Sequence, residues 1–362
     1  MPLSSEALKA EELVRETIEA VPSLDPAWHA RARLRLDSLT KPLGSLGRLE
    51  QVAARLVSIR EEEFPECSKK AIFTLAADHG VTEEAVSAYP KEVTRQMLLN
   101  FLSGGAAINV LCRHFGIDVV VVDIGVDADT RELPGLVNMK VARGTQNMAR
   151  GPAMSRAETY SALQNGIALA MRAEQEGRHL VGTGEMGIGN TTAASAITAA
   201  LTGRPVAELT GKGAGLDDAG FQHKIKIIER SLDVNRPDPS DGVDVLSKVG
   251  GLELAGLAGL TLGAAARRIP VVIDGFISTA AAAIAVVIQP RAKQFLFASH
   301  RSTEPGHDAL LKFMGLEPLL NLDLRLGEGT GAALAMPLLE ASVKLLKEMA
   351  TFSSAGVSGS KE

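Results

Sequence analysis

Two glutamates in this chain stand among glycines just ahead of stretches that read as helices: Gly184–Glu185–Met186–Gly187 and Gly327–Glu328–Gly329. For either one alone, the simple reading is an acid complementing a helix dipole. Together, and with Asp78, Asp274 and Ser302 near the ends of apolar runs, they point to one shared cleft. In that cleft the helix dipole is expected to hold each carboxylate ionised, and partial burial to raise its basicity. Such a glutamate can take a proton from a nucleophile or stabilise positive charge developing on a sugar.

Around Glu185 the glycines are dense: Gly182, Gly184, Gly187 and Gly189 precede Asn190–Thr191–Thr192 and a helical run. Glycines let a ligand approach the backbone closely, and a helix start offers free N–H groups to an anion. Residues 182–187 match the G-x-G-x-x-G pattern of dinucleotide sites, which raises a nicotinamide-dinucleotide dehydrogenase as one reading. Glu185 would crowd a pyrophosphate there, and Glu208 follows Arg204–Pro205 with little strand before it. A P-loop is excluded, because no Gly-Lys-Ser/Thr closes the turn.

The elements that must position these residues are legible as alternating apolar runs and helical periods. Strands are expected over 71–76, 117–123, 179–183, 270–275 and 294–298, with helices over 155–176, 190–202, 252–266, 278–288 and 332–349. Short strands with polar tips, separated by helices, make a parallel α/β sheet with crossover helices. The run of four valines at 119–122 fits a strand covered on both faces. Gly256, Gly259 and Gly263 mark helix 252–266 as one that packs closely on a neighbour. Residues 124–153 show no sustained period, so they are either a functional excursion or hold short strands. Residues 4–36 read as helices broken at Pro22–Pro26, and Lys41 sits in a loop shaped by Pro42, Gly44 and Gly47, which is either a plain connector or lies close to the ligand. His79 is expected to hydrogen-bond within its loop rather than to bind a metal. The tail from Thr351 reads as frayed. Without strands between them, the terminal helices are expected to form a small helical domain of residues 1–64 and 331–362 beside a large α/β domain of 65–330.

Composition narrows the partners. The chain has 362 residues, 46% hydrophobic and 22% charged, with net charge −5 and two cysteines, Cys67 and Cys112. That balance suits a globular protein and disfavours nucleic acid or an acidic membrane as partner. The thiols have no metal-ligand spacing, and a reduced cytoplasmic setting is the natural reading. The start lacks the basic and apolar regions of a secretory signal, and the most apolar segment, 277–288, is too short to span a bilayer.

Four blocks carry a resemblance: residues 37–47 (DSLTKPLGSLG), 77–81 (ADHGV), 184–192 (GEMGIGNTT) and 325–331 (RLGEGTG). In this order they resemble the nicotinate-nucleotide–dimethylbenzimidazole phosphoribosyltransferase family, whose members make the lower-ligand nucleotide of cobalamin. The resemblance implies a homodimer with a Rossmann-like large domain and a small domain built from both termini. It implies transfer of 5-phosphoribose from nicotinate mononucleotide to 5,6-dimethylbenzimidazole, with inversion, and no metal or other cofactor. By position, Glu328 matches the family's general base and Glu185 a second acid near the ribose. Gly187, Gly189, Asn190 and Thr191 would hold the phosphate with Lys224 and Arg325 nearby, and Asp274 and Ser302 would add contacts to the nucleotide. The base would lie against Ala88, Tyr89, Gln96, Met186 and Leu326. A catalytically silent nucleotide-binding protein of the same fold is the remaining reading.

Overall fold

Apolar runs too short to stand alone find partners in a single parallel sheet. The computed structural model describes residues 5–213 and 215–358; the remaining residues, including position 214 in the glycine-rich turn at 211–216 and the chain's first four and last four, lie outside it. The strands of that sheet are β1 (Lys70–Ala77), β2 (Ile117–Gly125), β3 (Val137–Asn138), β4 (Leu180–Met186), β5 (Val271–Ile273) and β6 (Leu296–Ala298), and a separate two-residue parallel ladder joins His300–Arg301 to Leu320–Asn321. The six lie in the order β3-β2-β1-β4-β5-β6, with every pair parallel. This is the doubly wound Rossmann order, in which the winding direction reverses between β1 and β4. Ligands bind at that switch point, outside the carboxyl ends of the strands. Here those ends are Ala77, followed by Asp78, and Met186, preceded by Glu185.

All eight residues of β1 are buried, as a central strand covered on both faces requires. In β2 only the second half, from Val121, is fully buried, so double coverage holds for part of the valine run. Alternation sends Ile72 to one face and Leu75 to the other. A Cβ placed on Gly182 would meet Ile72 and Met336, whereas one on Gly256 would meet Leu75 and Ile124. The C-terminal helix Thr330–Glu348 and helix Leu252–Ala266 therefore cover opposite faces.

Helix Leu252–Ala266 is almost wholly buried and lies along helix Arg156–Gln175. Its glycines let the backbones touch: a Cβ on Gly259 would overlap the carbonyl oxygen of Leu163, and one on Gly166 would overlap that of Gly256. The close approach expected of the small-residue helix is present. Helix Arg156–Gln175 starts at a capping box, Ser155 with Glu158.

Several expectations are corrected. Strand β4 runs on through Met186, so Gly184 and Glu185 belong to the strand and not to a loop opening a helix. Pro290–Phe295 forms a 3-10 turn, which leaves only Leu296–Ala298 as strand, because Pro290 and the cap by Gln289 favour the turn. Residues 124–153 contain one two-residue edge strand, then return to the switch point, where Gly144 donates to Gly125 O and Thr145 to Asp78 O. Lys41 is consumed structurally, buried against Glu50 at 2.7 Å. The tail is ordered further than expected: Thr351 caps a short helix, Phe352–Ala355, and bridges to Leu39.

Helices Pro26–Ser38 and Arg48–Arg60 share a second apolar cluster with the end of the C-terminal helix, through Leu36, Ala53, Val57 and Leu346. The first helix, Ser5–Ala20, instead contributes Ala10 and Val14 to the main core and packs on Arg156–Gln175. Among the described residues, no helix is long and apolar enough to cross a membrane.

The helix contact predicts its own sensitivity. Gly259→Ala forces a methyl into the carbonyl of Leu163 and is expected to lower stability by about 1–3 kcal/mol, the usual cost of overpacking. Urea unfolding measures it. An unchanged midpoint would mean the two helices separate at no cost.

Candidate active site

A cavity of about 690 Å³ opens at the switch point, lined from β4, the turn after it, helix Asp218–Asn235 and the segments after β5 and β6. Its central acid is Glu185, one residue before the end of β4 and 5% exposed. The side chain of Asn190, first residue of helix Asn190–Thr202, donates to Glu185 Oε2. Burial pushes the Glu185 carboxyl up to about 8, and the neighbouring acids Asp274, Glu253 and Glu328 push the same way.

Glu328 stands across the cleft on a backbone of unusual shape. Gly327, Glu328 and Gly329 all lie in the left-handed region, with φ of 86°, 65° and 101°. For glutamate this conformation costs about 1 kcal/mol or more and must be imposed by its surroundings. Three contacts impose it. Thr74 Oγ1 donates to Glu328 O at 3.0 Å. The Asp274 carboxylate accepts from the N–H groups of Gly329, Gly331 and Ala332 at 3.0, 2.7 and 3.2 Å, capping the C-terminal helix. Gly184 is bare where a Cβ would overlap Glu328 O, so β4 and the Glu328 loop touch through backbone.

The Glu328 side chain accepts at Oε2 from the N–H of Ile108, in the first turn of helix Ala107–Phe115, at 3.2 Å. No bond to Oε1 is found among the described residues, and Glu328 lines the cavity. Burial raises its pKa, opposed by the Ile108 hydrogen bond, and Asp274 raises it further. Burial likewise lifts Asp274 to about 6, against its backbone donors. For Glu185 the expectation that a helix dipole holds the acid ionised is overturned, because burial lifts its carboxyl to about 8 and the residue lies in a strand; for Glu328 burial raises the basicity, as expected.

Next to these acids the same cavity is lined by a helix start and a buried lysine. Gly189, at φ 95°, caps helix Asn190–Thr202; the N–H groups of Asn190 and Thr192 turn back onto Gly187 O and Gly189 O, and none of the described residues accepts from those of Gly189 and Thr191. Gly187 packs so closely on Ala77 O that a Cβ would overlap it. Beneath it the ring of His79 is held by Glu253 at 2.7 Å, the hydrogen-bonding role expected of it, although its partner comes from another helix. Lys224 is 1% exposed, donates to Thr191 Oγ1 at 2.9 Å and is brought down to about 8 by burial, with Glu304 opposing. Ser302 is buried on the wall, and Arg325 reaches from the exposed rim to Gly213 O at 3.2 Å.

Thus Glu185, Met186, Gly187, Gly189, Asn190, Thr191, Lys224, Ser302, Arg325, Leu326, Glu328 and Tyr89 all line this cavity. Asp274 lies behind it, its carboxylate occupied by the backbone of the Glu328 loop. Ala88 lines a neighbouring cavity on the far side of its loop, and Gln96 is exposed on helix Glu92–Leu102. That helix instead presents Val93 and Met97, four residues apart on one face. Their i, i+4 spacing was the available signal. His300, Glu304 and Phe276 also line the wall, and sequence reasoning passed over them.

With this geometry in view, comparison with known proteins is informative. A family model described as phosphoribosyltransferase matches residues 21–357. The nicotinate-nucleotide–dimethylbenzimidazole phosphoribosyltransferase of Geobacter metallireducens is 60% identical over 345 residues, 95% of this chain and 98% of its own. That of Chloroflexus aggregans is 57% identical over 97% of this chain and 99% of its own. The crystal structure of the corresponding Thermus thermophilus enzyme superposes with a TM-score of 0.88 at 48% identity, covering 93% of this chain and all of that one. The chain belongs to this phosphoribosyltransferase family.

Proposed function

We propose that the protein transfers 5-phosphoribose from nicotinate mononucleotide to 5,6-dimethylbenzimidazole, giving α-ribazole 5′-phosphate and nicotinate, a step of cobalamin lower-ligand synthesis. The observation that carries this reading is one cavity with an anion cradle at 187–191 and, next to it, two buried glutamates, one with a free carboxylate oxygen. The phosphate takes the helix start with Lys224, Ser302 and Arg325 around it. The apolar wall of Tyr89, Met186 and Leu326, with Val93 and Met97, receives the aromatic base.

The chemistry then needs little else. One benzimidazole nitrogen attacks C1′ from the face opposite nicotinate while the C1′–N bond to nicotinate breaks. The bond pair returns to the pyridinium nitrogen, which leaves neutral, so no acid is needed to expel it. The proton on the other benzimidazole nitrogen goes to Glu328 Oε1, whose raised basicity suits the task. Glu185 lies beside the sugar, where charge develops at C1′.

A dinucleotide dehydrogenase is not supported. Residues 182–186 lie inside β4 instead of in the turn after a first strand, so the G-x-G-x-x-G match is accidental. The terminal helices we read as a small unit of residues 1–64 and 331–362 against a large one of 65–330. The cluster around Leu36, Val57 and Leu346 supports this, while the first helix packs on the larger core. We further read the protein as a cytoplasmic homodimer; its two cysteines are free and buried, and exposed Leu322 and Leu326 leave apolar surface beside the cavity mouth.

Purified protein given nicotinate mononucleotide and dimethylbenzimidazole is expected to release nicotinate and form α-ribazole 5′-phosphate without added metal, as chromatography will show. Binding without release would leave a silent nucleotide-binding protein. Glu328→Gln is expected to lower kcat by about 100-fold or more, the scale of a lost general base, with both substrates still bound. Lost binding with little effect on turnover would make Glu328 a structural residue.

The acid cluster also fixes a pH dependence of stability. Glu185 is raised to about 8 in the folded, ligand-free protein from an ordinary 4.5, and Asp274 to about 6 from 3.8. Between those limits these two acids hold more protons in the folded state than in the unfolded, so their contribution to stability falls as pH rises from about 4.5 to about 8; His300 and His307, pushed down by burial to about 4 and about 3, oppose it below about 6.5. Urea midpoints at pH 7 and 8, above the histidine range, are expected to show the fall (on the order of 1 kcal/mol), and Glu185→Gln to flatten it. A slope unchanged by that substitution would mean Glu185 titrates normally.

A further inference from the structure

His300 follows β6, is 2% exposed and lines the nucleotide cavity, yet the chemistry above gives it no task. Its surroundings determine which ring nitrogen carries hydrogen. Ser299 Oγ lies 3.2 Å from Asp274 O and 3.1 Å from His300 Nδ1. The carbonyl can only accept, so the serine hydroxyl donates to it and presents a lone pair to the ring. His300 Nδ1 must then be the protonated nitrogen, and the Asp274 carboxylate 3.9 Å away favours the same tautomer. Burial pushes the ring down to about 4, so it is neutral at working pH.

Nε2 is therefore a bare acceptor. No protein donor to it is found among the described residues, and it does not count among their enclosed, unpaired polar atoms, so it reaches the open cavity. A Cβ on Gly331 would overlap Nδ1, and one on Gly275 would sit 3.3 Å from Cε1, so backbone packs both sides.

An acceptor needs a donor, and nicotinate mononucleotide offers few. Its phosphate and carboxylate are acceptors when ionised, and its pyridinium nitrogen carries no hydrogen. Only the ribose 2′ and 3′ hydroxyls donate. We propose that His300 Nε2 accepts a hydrogen bond from one of these ribose hydroxyls, so that His300 is a sugar-reading residue of the site, held in its tautomer by Ser299. This rests on the phosphoribosyl reading above. It also means the site selects a ribonucleotide over its deoxy counterpart by leaving a buried acceptor unpaired.

The test compares nicotinate mononucleotide with its 2′-deoxy and 3′-deoxy analogues, in wild type and in His300→Ala. In the wild type, one analogue is expected to lose about 3- to 10-fold in kcat/KM through His300, the worth of one neutral hydrogen bond. In His300→Ala that same penalty should shrink by this factor, while the penalty for the other analogue stays. Equal losses on all three substrates, with both penalties intact, would make His300 structural and overturn the proposal. Turnover of none of the three by wild type would instead sink the phosphoribosyl reading itself. Should His300→Ala not fold, 15N spectra of histidine-labelled wild type decide the matter. Protonated Nδ1 and a bare Nε2 that shifts when nicotinate mononucleotide binds are expected, and a protonated Nε2 would overturn the inference.

Discussion

The site depends on a carboxylate that lies behind the cavity instead of lining it. Asp274, at the end of β5, accepts three backbone N–H groups from residues 329–332 and so fixes where the C-terminal helix begins. Buried acids in an already acidic cluster are costly, and each hydrogen bond from the helix start offsets part of that cost. What the arrangement secures is geometric. With the helix anchored at Asp274, the preceding residues are held in the left-handed conformation that turns Glu328 towards the cavity. Ser299 and His300 gather around the same aspartate, so the Glu328 loop and the His300 wall of the cavity share one support.

The second constraint is closeness. Gly184 of β4 abuts the Glu328 loop, and Gly327 lies so near Glu185 that a side chain there would overlap the carboxylate. Two acids are thereby placed on one cleft by backbone contact rather than by long side chains, which keeps their spacing rigid. Burial above all raises both pKa values, with Asp274 adding to each and Glu328 to that of Glu185, which favours proton transfer and works against stability in the ligand-free protein. Near Thr191 the charge has the reverse sign: Lys224 is buried beside a helix start, a setting that suits an anion.

Much of this was legible in the sequence. The parallel strands announced themselves by apolar runs with polar tips, and helix Leu252–Ala266 by its spaced glycines. The recurrence of Glu between glycines pointed to the two acids without any structural aid. What stayed hidden depended on contacts between distant segments. Glycine at 184 suggests a loop locally, yet pairing with β1 carries β4 on to Met186. Lys41 looked free because its partner Glu50 lies beyond an intervening turn. Asp274 could be placed at a strand tip, but not its donors 55 to 58 residues later. Gln96 was assigned to the base wall, whereas the helix turns Val93 and Met97 inward.

The central claim is that Glu328 takes the proton from the incoming base while the anion cradle holds the phosphate. A crystal structure with nicotinate mononucleotide and dimethylbenzimidazole, captured in the Glu328→Gln protein, tests it most directly. The account predicts the phosphate at residues 187–191 beside Lys224, and a benzimidazole nitrogen about 2.6–3.2 Å from the side-chain atom that replaces Glu328 Oε1. A phosphate bound elsewhere, or a base whose nitrogens both point away from position 328, would contradict it.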